Sequence, residues 1–237
     1  MNINKLCILL TCTLFSVSVE ASEKVYRIIA FKDGAGDIMS QRLIKKVYAK
    51  AGLKMKVVNY PGHRALLEAN SGRADALLSR RKIILKKFTN LIAVSPALHE
   101  MKIQAFVTDK KFKVQGWKSL APYKIILVRG QRGAINATKG MDVELTTNST
   151  GAFKMLSKQR RDVYATTQIN GIKYISELGL KNVKALPEPI TTIKMHHIVH
   201  KKNKGLVDRL SKAIQELHES GEAKKIEDDF FSELQKK

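Results

Sequence analysis

Two arginines stand where apolar runs typical of buried strands come to an end. Arg80 closes the region of a strand predicted at 74–78, and Arg129 follows the apolar run 123–128 and precedes Gly130. A guanidinium stays charged and offers a planar fork that binds a carboxylate or a phosphate through two hydrogen bonds. Open α/β sheets bind ligands at the carboxyl ends of their strands, so both positions predict contact with an anion. The alternative for Arg80 is a solvated side chain beside Arg81.

Two hydroxyl residues and a third arginine could join this chemistry. Ser149 and Thr150 stand at the start of a predicted helix, whose free N–H groups and positive dipole end favour an anion. A plain helix cap is the alternative reading for both. Arg64, at the start of another predicted helix, is a secondary candidate that could instead make a structural contact. Asp75 and Asp162 are expected to serve turns.

The sequence gives little indication of a metal site or of a catalytic nucleophile. His196, His197 and His200 lie in a predicted strand, where His197 points away from the other two, so the three do not converge. Both cysteines, Cys7 and Cys12, fall in a segment expected to be removed. The chain contains no glycine-rich phosphate loop, Gly-x-Ser-x-Gly elbow or His-Glu-x-x-His motif. We therefore expect no metal, no cofactor and no catalytic residue.

The remaining pattern supplies the elements that position these residues. An apolar run at 6–19, followed by small residues at 19–21, predicts a cleaved signal peptide over 1–21. Strands are predicted at 25–31, 55–60, 74–78, 123–128, 143–146 and 162–166, with helices between them, which indicates parallel βαβ units. Extended segments at 103–108 and 191–200 could cross between two lobes as a double hinge. Two C-terminal helices should return to cover the first lobe.

The charge is strongly basic, with 43 lysines and arginines against 21 acidic residues and a formal net charge of +22. Such a surface attracts polyanions. The basic residues are dispersed, however, and lack the spacing and the aromatic platform of nucleic-acid readers. We predict no specific nucleic-acid site, and a lysine-rich exterior that makes at most weak contact with anionic lipid.

Several short motifs, in order along the mature chain, resemble a known family. They are PGHRAL at 61–66, NSGRAD at 70–75, NLIAV at 90–94, GWKSL at 116–120 and LVRG at 127–130. Together they resemble the bacterial periplasmic solute-binding proteins of family 3, the amino-acid-binding type, and a divergent branch of it. The resemblance implies an α/β fold of two lobes with a ligand held between them. It implies a first lobe from 22–105 and 197–237 and a second from 106–196.

The sequence departs from this family where the ligand would bind. Amino-acid binders hold the ligand carboxylate with a Thr-x-x-Arg segment, and here Arg80 is the remaining candidate. They hold the ammonium with an aspartate at the end of a second-lobe strand, where this chain has Thr167. The aromatic segment after the first strand is replaced by residues 32–35, KDGA. An ordinary α-amino acid is therefore a poor candidate ligand, and an anionic solute is preferred.

We accordingly predict a periplasmic, monomeric solute-binding protein that captures a small anionic molecule for an ABC transporter or a sensor. An enzyme on the same scaffold is the first alternative, such as a lyase acting on a small carboxylic acid. It would need an acid and base pair, for which Asp33 and a histidine are the only candidates. A cationic envelope-binding protein is the second alternative, recognisable by steeply salt-dependent binding to polyanions.

Overall fold

This computed structural model describes residues 24–31 and 35–236. The predicted signal peptide, both cysteines and Asp33 lie outside the described residues. None of the helices described is long and apolar enough to cross a membrane.

Strands and helices alternate along most of the described chain. The strands are β1 (Val25–Phe31), β2 (Lys54–Tyr60), β3 (Ala76–Arg80), β4 (Leu91–Ala93), β5 (His99–Val107), β6 (Ile125–Val128), β7 (Val143–Thr146), β8 (Val163–Thr167), β9 (Lys184–Ala185) and β10 (Thr191–His200). The α-helices are α1 (Ala35–Lys50), α2 (Gly62–Asn70), α3 (Arg132–Ala137), α4 (Ser149–Ser157), α5 (Gln168–Glu177), α6 (Val207–Glu219) and α7 (Glu222–Gln235). Short 3₁₀ helices span Lys82–Lys86, Trp117–Leu120 and Lys201–Leu206.

The strands form a curled sheet in the order β2-β1-β3-β10-β5-β8-β6-β7, with β4 on β10 and β9 on β5. β1 is parallel to β2 and β3, and β6 is parallel to β7 and β8. Between these parallel groups, β5 and β10 run antiparallel to each other and to the strands beside them. The predicted two-lobed α/β fold is confirmed, with β1–β3 in the first lobe and β6–β8 in the second.

The two crossing strands change partners along their length. The start of β10 pairs with β5 from Thr191↔Ile103 to Met195↔His99, and its end pairs with β3 and β4. The far end of β5 pairs with β8 of the second lobe. Together the two strands join the lobes, with β10 paired to the first and β5 to the second, as predicted for the extended segments at 103–108 and 191–200.

Each lobe has its own apolar core on both faces of its strands. In the first lobe, Leu43 and Val47 of α1 pack with Leu210 and Ile214 of α6 on one face. In the second lobe, Leu127 belongs to a buried apolar cluster, and the partly exposed Trp117 packs against that cluster. The C-terminal helix α6 thus covers the first lobe, as its apolar pattern predicted.

A smaller cluster joins the lobes away from the crossing strands. Met39 of α1, Ile169 of α5 and Phe230 of α7 are buried together, with Phe231 and Leu234 packed beside them. The helix α7 consequently touches both lobes, a contact that the sequence did not predict.

Candidate functional site

Arg80 is the last residue of β3, a strand buried along its whole length because its neighbours are the central strands of the sheet. It lies opposite His196 of β10 in the antiparallel register. Only 8% of its surface is exposed. The arginine therefore stands at the carboxyl edge of the first lobe, beside a strand that crosses to the second.

One edge of the Arg80 guanidinium is occupied by a carboxylate. Nη1 donates to Oδ1 of Asp37 at 3.2 Å and Nη2 donates to Oδ2 at 3.4 Å. Nη1 also donates to the carbonyl of Ser79, and the guanidinium carbon stands 3.2 Å from the centroid of the Phe31 ring. Burial lowers the pKa of Arg80, and the charge of Asp37 opposes that effect. The arginine stays charged because its pKa begins so high.

The other edge of the same guanidinium has no acceptor. Nε is buried and makes no hydrogen bond within the described part of the chain. A buried N–H without a partner costs about 1–3 kcal/mol. Nε–H and the second hydrogen of Nη2 lie on one side of the planar group, the geometry that receives a carboxylate or phosphate.

Asp37 is a member of this site that the sequence reasoning missed. It stands in the first turn of α1, where a carboxylate complements the positive end of the helix dipole. Its Oδ2 accepts from the backbone N–H of Phe31 at 2.7 Å, so it fastens the end of β1 to the start of α1. The sequence shows only an acidic residue near the start of a predicted helix, and nothing in it pairs that residue with Arg80.

A buried histidine adjoins the arginine through Ser79. Nε2 of His99 lies 2.8 Å from Oγ of Ser40 and 3.1 Å from Oγ of Ser79. Because the Ser40 hydroxyl donates to the carbonyl of Gly36, its oxygen accepts from Nε2–H of His99. Burial lowers the pKa of His99 to about 4, so the ring is neutral at pH 7. This network holds the start of α1 against β3 and β5.

Three of the predicted site residues belong to the carboxyl edge of the second lobe. Arg129 is exposed after β6, and its backbone N–H donates to the carbonyl of Thr146 at 2.9 Å. Thr167 ends β8 and caps α5 by accepting from the N–H of Asn170. Because β6 and β8 are parallel with Ile126↔Tyr164, Arg129 and Thr167 come at the same edge of the sheet. The third, Ser149, begins α4, and its hydroxyl accepts from Tyr164.

Thr150 and Arg64 are placed less favourably for binding a ligand at the carboxyl edges of the lobes. The cap of α4 is Asn148, whose side chain accepts from the N–H of Gly151, so Thr150 is a half-buried residue of the first turn. Arg64 is exposed on α2, with its guanidinium carbon 5.3 Å from the centroid of the Tyr60 ring. Arg64 thus has the structural contact that the sequence left open as the alternative.

The carboxyl edges of the two lobes face each other and come close at two points. A Cβ on Gly36, at the start of α1, would stand 3.9 Å from Cδ1 of Ile169 in α5. A Cβ on Gly133, in α3, would stand 3.7 Å from Nη1 of Arg81. Arg80 is adjacent to one of these approaches and bonded to Asp37 beside the other. Arg80 is therefore close to the junction of the lobes.

The three histidines of β10 serve separate structural contacts. His196 donates from Nδ1 to the carbonyl of Val94, and His197 donates from Nδ1 to the carbonyl of Leu78. Nδ1 of His200 accepts from the N–H of Lys202. The described residues contain no group of three or more side chains that could hold a metal ion.

Two α/β lobes, two crossing strands and polar groups facing each other across the junction define a two-lobed binding protein. The chain belongs to the bacterial extracellular solute-binding proteins, family 3, whose model matches residues 35–233. The family predicted from the sequence motifs is confirmed. No curated protein sequence is significantly similar to the chain.

Solved structures share the fold at low sequence identity. A histidine kinase sensor domain with similarity to periplasmic binding proteins is 16% identical, with a TM-score of 0.65, over 88% of this chain and 96% of that one. The second substrate-binding domain of a putative amino-acid ABC transporter from Streptococcus pneumoniae is 14% identical, with a TM-score of 0.67, over 87% and 99%. The GluR0 ligand-binding core in complex with L-glutamate is 13% identical, with a TM-score of 0.67, over 89% and 99%.

Proposed function

We propose that this protein binds a small anionic solute between its lobes, on the free edge of the Arg80 guanidinium. The observation that carries the proposal is the buried Nε of Arg80, which no described acceptor reaches. Asp37 holds the opposite edge at 3.2 and 3.4 Å and fixes the plane of the group. A preoriented, desolvated donor pair favours a carboxylate or phosphate of the solute.

The second lobe would close on the solute with the groups at its carboxyl edge. We propose the first lobe to comprise 22–105 and 197–237, and the second 106–196. Arg129 is the exposed cation of the second edge, and the N-terminus of α4 at Ser149 and Thr150 adds backbone N–H groups. Closure of two lobes around a ligand is the motion that this architecture supports.

The chemistry of the junction disfavours a zwitterion. Thr167 has no charge, and its hydroxyl already caps α5. The carboxylate of Asp37 lies beside Arg80 but already forms an ion pair with it, so it is not free to accept from a ligand ammonium. An ammonium buried without an acceptor costs several kcal/mol. The glutamate named for the GluR0 core carries such a group, so a dicarboxylate or a phosphorylated acid is the preferred class here.

Capture rather than turnover is the role we propose, because the family and the structural neighbours are binding proteins. The neighbours named above include a sensor domain and a transporter's binding domain, so the bound solute would be presented to a transporter or a sensor. The signal peptide predicted over 1–21 would place this work in the periplasm.

A thermal-shift screen tests the proposal on the parent protein and two variants. Arg80→Lys keeps a cation for Asp37 but removes the Nε edge, whereas Arg73→Lys makes the same exchange in the exposed pair with Glu68. A solute at 100 times its dissociation constant should stabilise the parent by about 2.7 kcal/mol. We expect an anionic solute at this concentration to stabilise the parent and Arg73→Lys fully, and Arg80→Lys by less than about 1 kcal/mol. Equal shifts in all three proteins, or the largest shift from a common α-amino acid, would overturn the proposal.

A further inference from the structure

In the 3₁₀ helix Lys82–Lys86, the side chain of Ile83 is exposed to solvent and has lysines on either side. Ile84 and Leu85 pack against the apolar core of the first lobe, which leaves Ile83 51% exposed. Lys82, Lys86 and Lys87 are exposed on either side of it. Ile83 is therefore an exposed apolar side chain with lysines on either side of it in sequence.

A second basic segment contacts β4, as this helix does. β4 and β10 pair with Leu91 opposite His200, and the N–H of Lys201 donates to the carbonyl of Asn90 at 2.8 Å. Lys201 and Lys204 are exposed on the 3₁₀ helix that follows. We call Lys82, Ile83, Lys86, Lys87, Lys201 and Lys204 the lysine strip.

Among the described residues, no carboxylate is paired with a lysine of the lysine strip, and Asp75, which lies against the second segment, is shared by Lys24 and Lys202. Residues 76–99 and 189–207 contain no aspartate or glutamate, and none of the five lysines forms an ion pair among the residues described. Some lysines elsewhere are paired, as Lys224 is with Asp228 and Lys225 with Asp229. The lysine strip thus combines five lysines that form no described ion pair with one exposed apolar side chain.

We propose that the lysine strip is a contact surface for an anionic lipid bilayer. Lysines near a membrane surface are attracted by acidic headgroups, and an apolar side chain can enter the boundary between headgroups and acyl chains. A polyanion in solution would use the charges but not Ile83. The strip also exposes no aromatic ring on which nucleic-acid bases could stack, since Phe88 beside it is buried. This surface is independent of the solute site at Arg80.

Co-sedimentation with vesicles tests the proposal on the purified protein. One vesicle contains equal parts phosphatidylglycerol and phosphatidylcholine, and the other only phosphatidylcholine. We expect binding to the first alone. Lys86→Gln with Lys87→Gln should weaken it about thirtyfold, because two surface lysines worth about 1 kcal/mol each are removed. Lys224→Gln with Lys225→Gln removes the same charge on α7 and should leave the partition within about twofold.

Ile83→Ser separates a lipid from other polyanions. It should weaken vesicle binding several-fold and leave retention on heparin unchanged, whereas Leu145→Ser, at a residue 40% exposed elsewhere, should change neither. Melting temperatures should stay constant, because all these side chains are exposed. Equal losses in the two double variants, binding to neutral vesicles, or no effect of Ile83→Ser would overturn the proposal. The solute screen is unaffected by any of these results.

Discussion

Acidification should destabilise the protein well above the pH at which carboxylates titrate, because two histidines are buried in the neutral form. His197 is fully buried between the carbonyl of Leu78 and the hydroxyl of Tyr48, and burial lowers its pKa to about 4. Nε2 of His99 contacts two serine hydroxyls, and burial lowers the pKa of this ring to about 4 as well. Both rings must take up a proton when the chain unfolds in mild acid.

The direction and the size of this change in the free energy of unfolding follow from proton linkage. Between pH 6.5 and about 4 the unfolded chain binds protons that the folded protein excludes, so the free energy of unfolding falls as the pH falls through this range. The stability from each histidine is complete above 6.5 and lost near 4. For each histidine, the difference between the pKa of 6.5 in the unfolded chain and about 4 in the folded protein corresponds to about 3 kcal/mol, so the two together contribute about 6 kcal/mol. Native domains have about 5–15 kcal/mol in total, so unfolding should begin in mild acid.

Urea unfolding at a series of pH values between 7.5 and 4.5 measures this effect. His197→Gln removes one titrating ring, so the variant should start less stable at pH 7.5 and lose about half as much free energy on acidification. His63→Gln, at an exposed ring, should follow the parent curve. A parent whose stability is flat from pH 7 to 5, or a His197→Gln slope equal to that of the parent, would refute the reasoning.

The remaining predictions concern the second-lobe core, the solute site and the N-terminus. Gly171→Ala should destabilise the protein by about 3 kcal/mol in urea unfolding, because the new Cβ would stand 1.7 Å from Cζ of Phe106 and the ring must move. Arg80→Ala should abolish solute binding in calorimetry, since removal of one partner from a buried charge pair costs about 3–5 kcal/mol. Thr167→Ala should cost about 1 kcal/mol of stability as a lost helix cap and change affinity less. Mass spectrometry of the exported protein should find cleavage after residue 21.

Strands with strong local patterns could be predicted closely from the sequence. Val25–Phe31, Val143–Thr146 and Thr191–His200 were all predicted with the bounds that the structure has. Their β-branched residues and flanking turn residues define them without tertiary information. The strand ending at Arg80 was predicted at 74–78, two residues too early at both ends, because its polar end, Ser79-Arg80, becomes buried only when β10 pairs with it.

Features that depend on distant partners could not be predicted. Helix α5 begins with polar residues directly after β8, and its glycine faces Phe106, so its pattern is weak in isolation. The pairing of Asp37 with Arg80 joins residues 43 positions apart in sequence, and the contact of His99 with Ser40 joins residues 59 apart. Such contacts are set by the packing of α1 against β3 and β5. The position of Arg80 at the end of a strand could be predicted from the sequence, but its partners could not.

Calorimetric titration of the best anionic solute into the parent protein and Arg80→Lys tests the central claim most directly. The loss of a buried hydrogen-bonded charge contact typically costs at least about 2 kcal/mol, so the dissociation constant should rise at least about thirtyfold in Arg80→Lys and stay unchanged in Arg73→Lys. The urea midpoint of Arg80→Lys, measured alongside, confirms that the variant is folded. A folded Arg80→Lys that binds the solute as tightly as the parent would contradict the account.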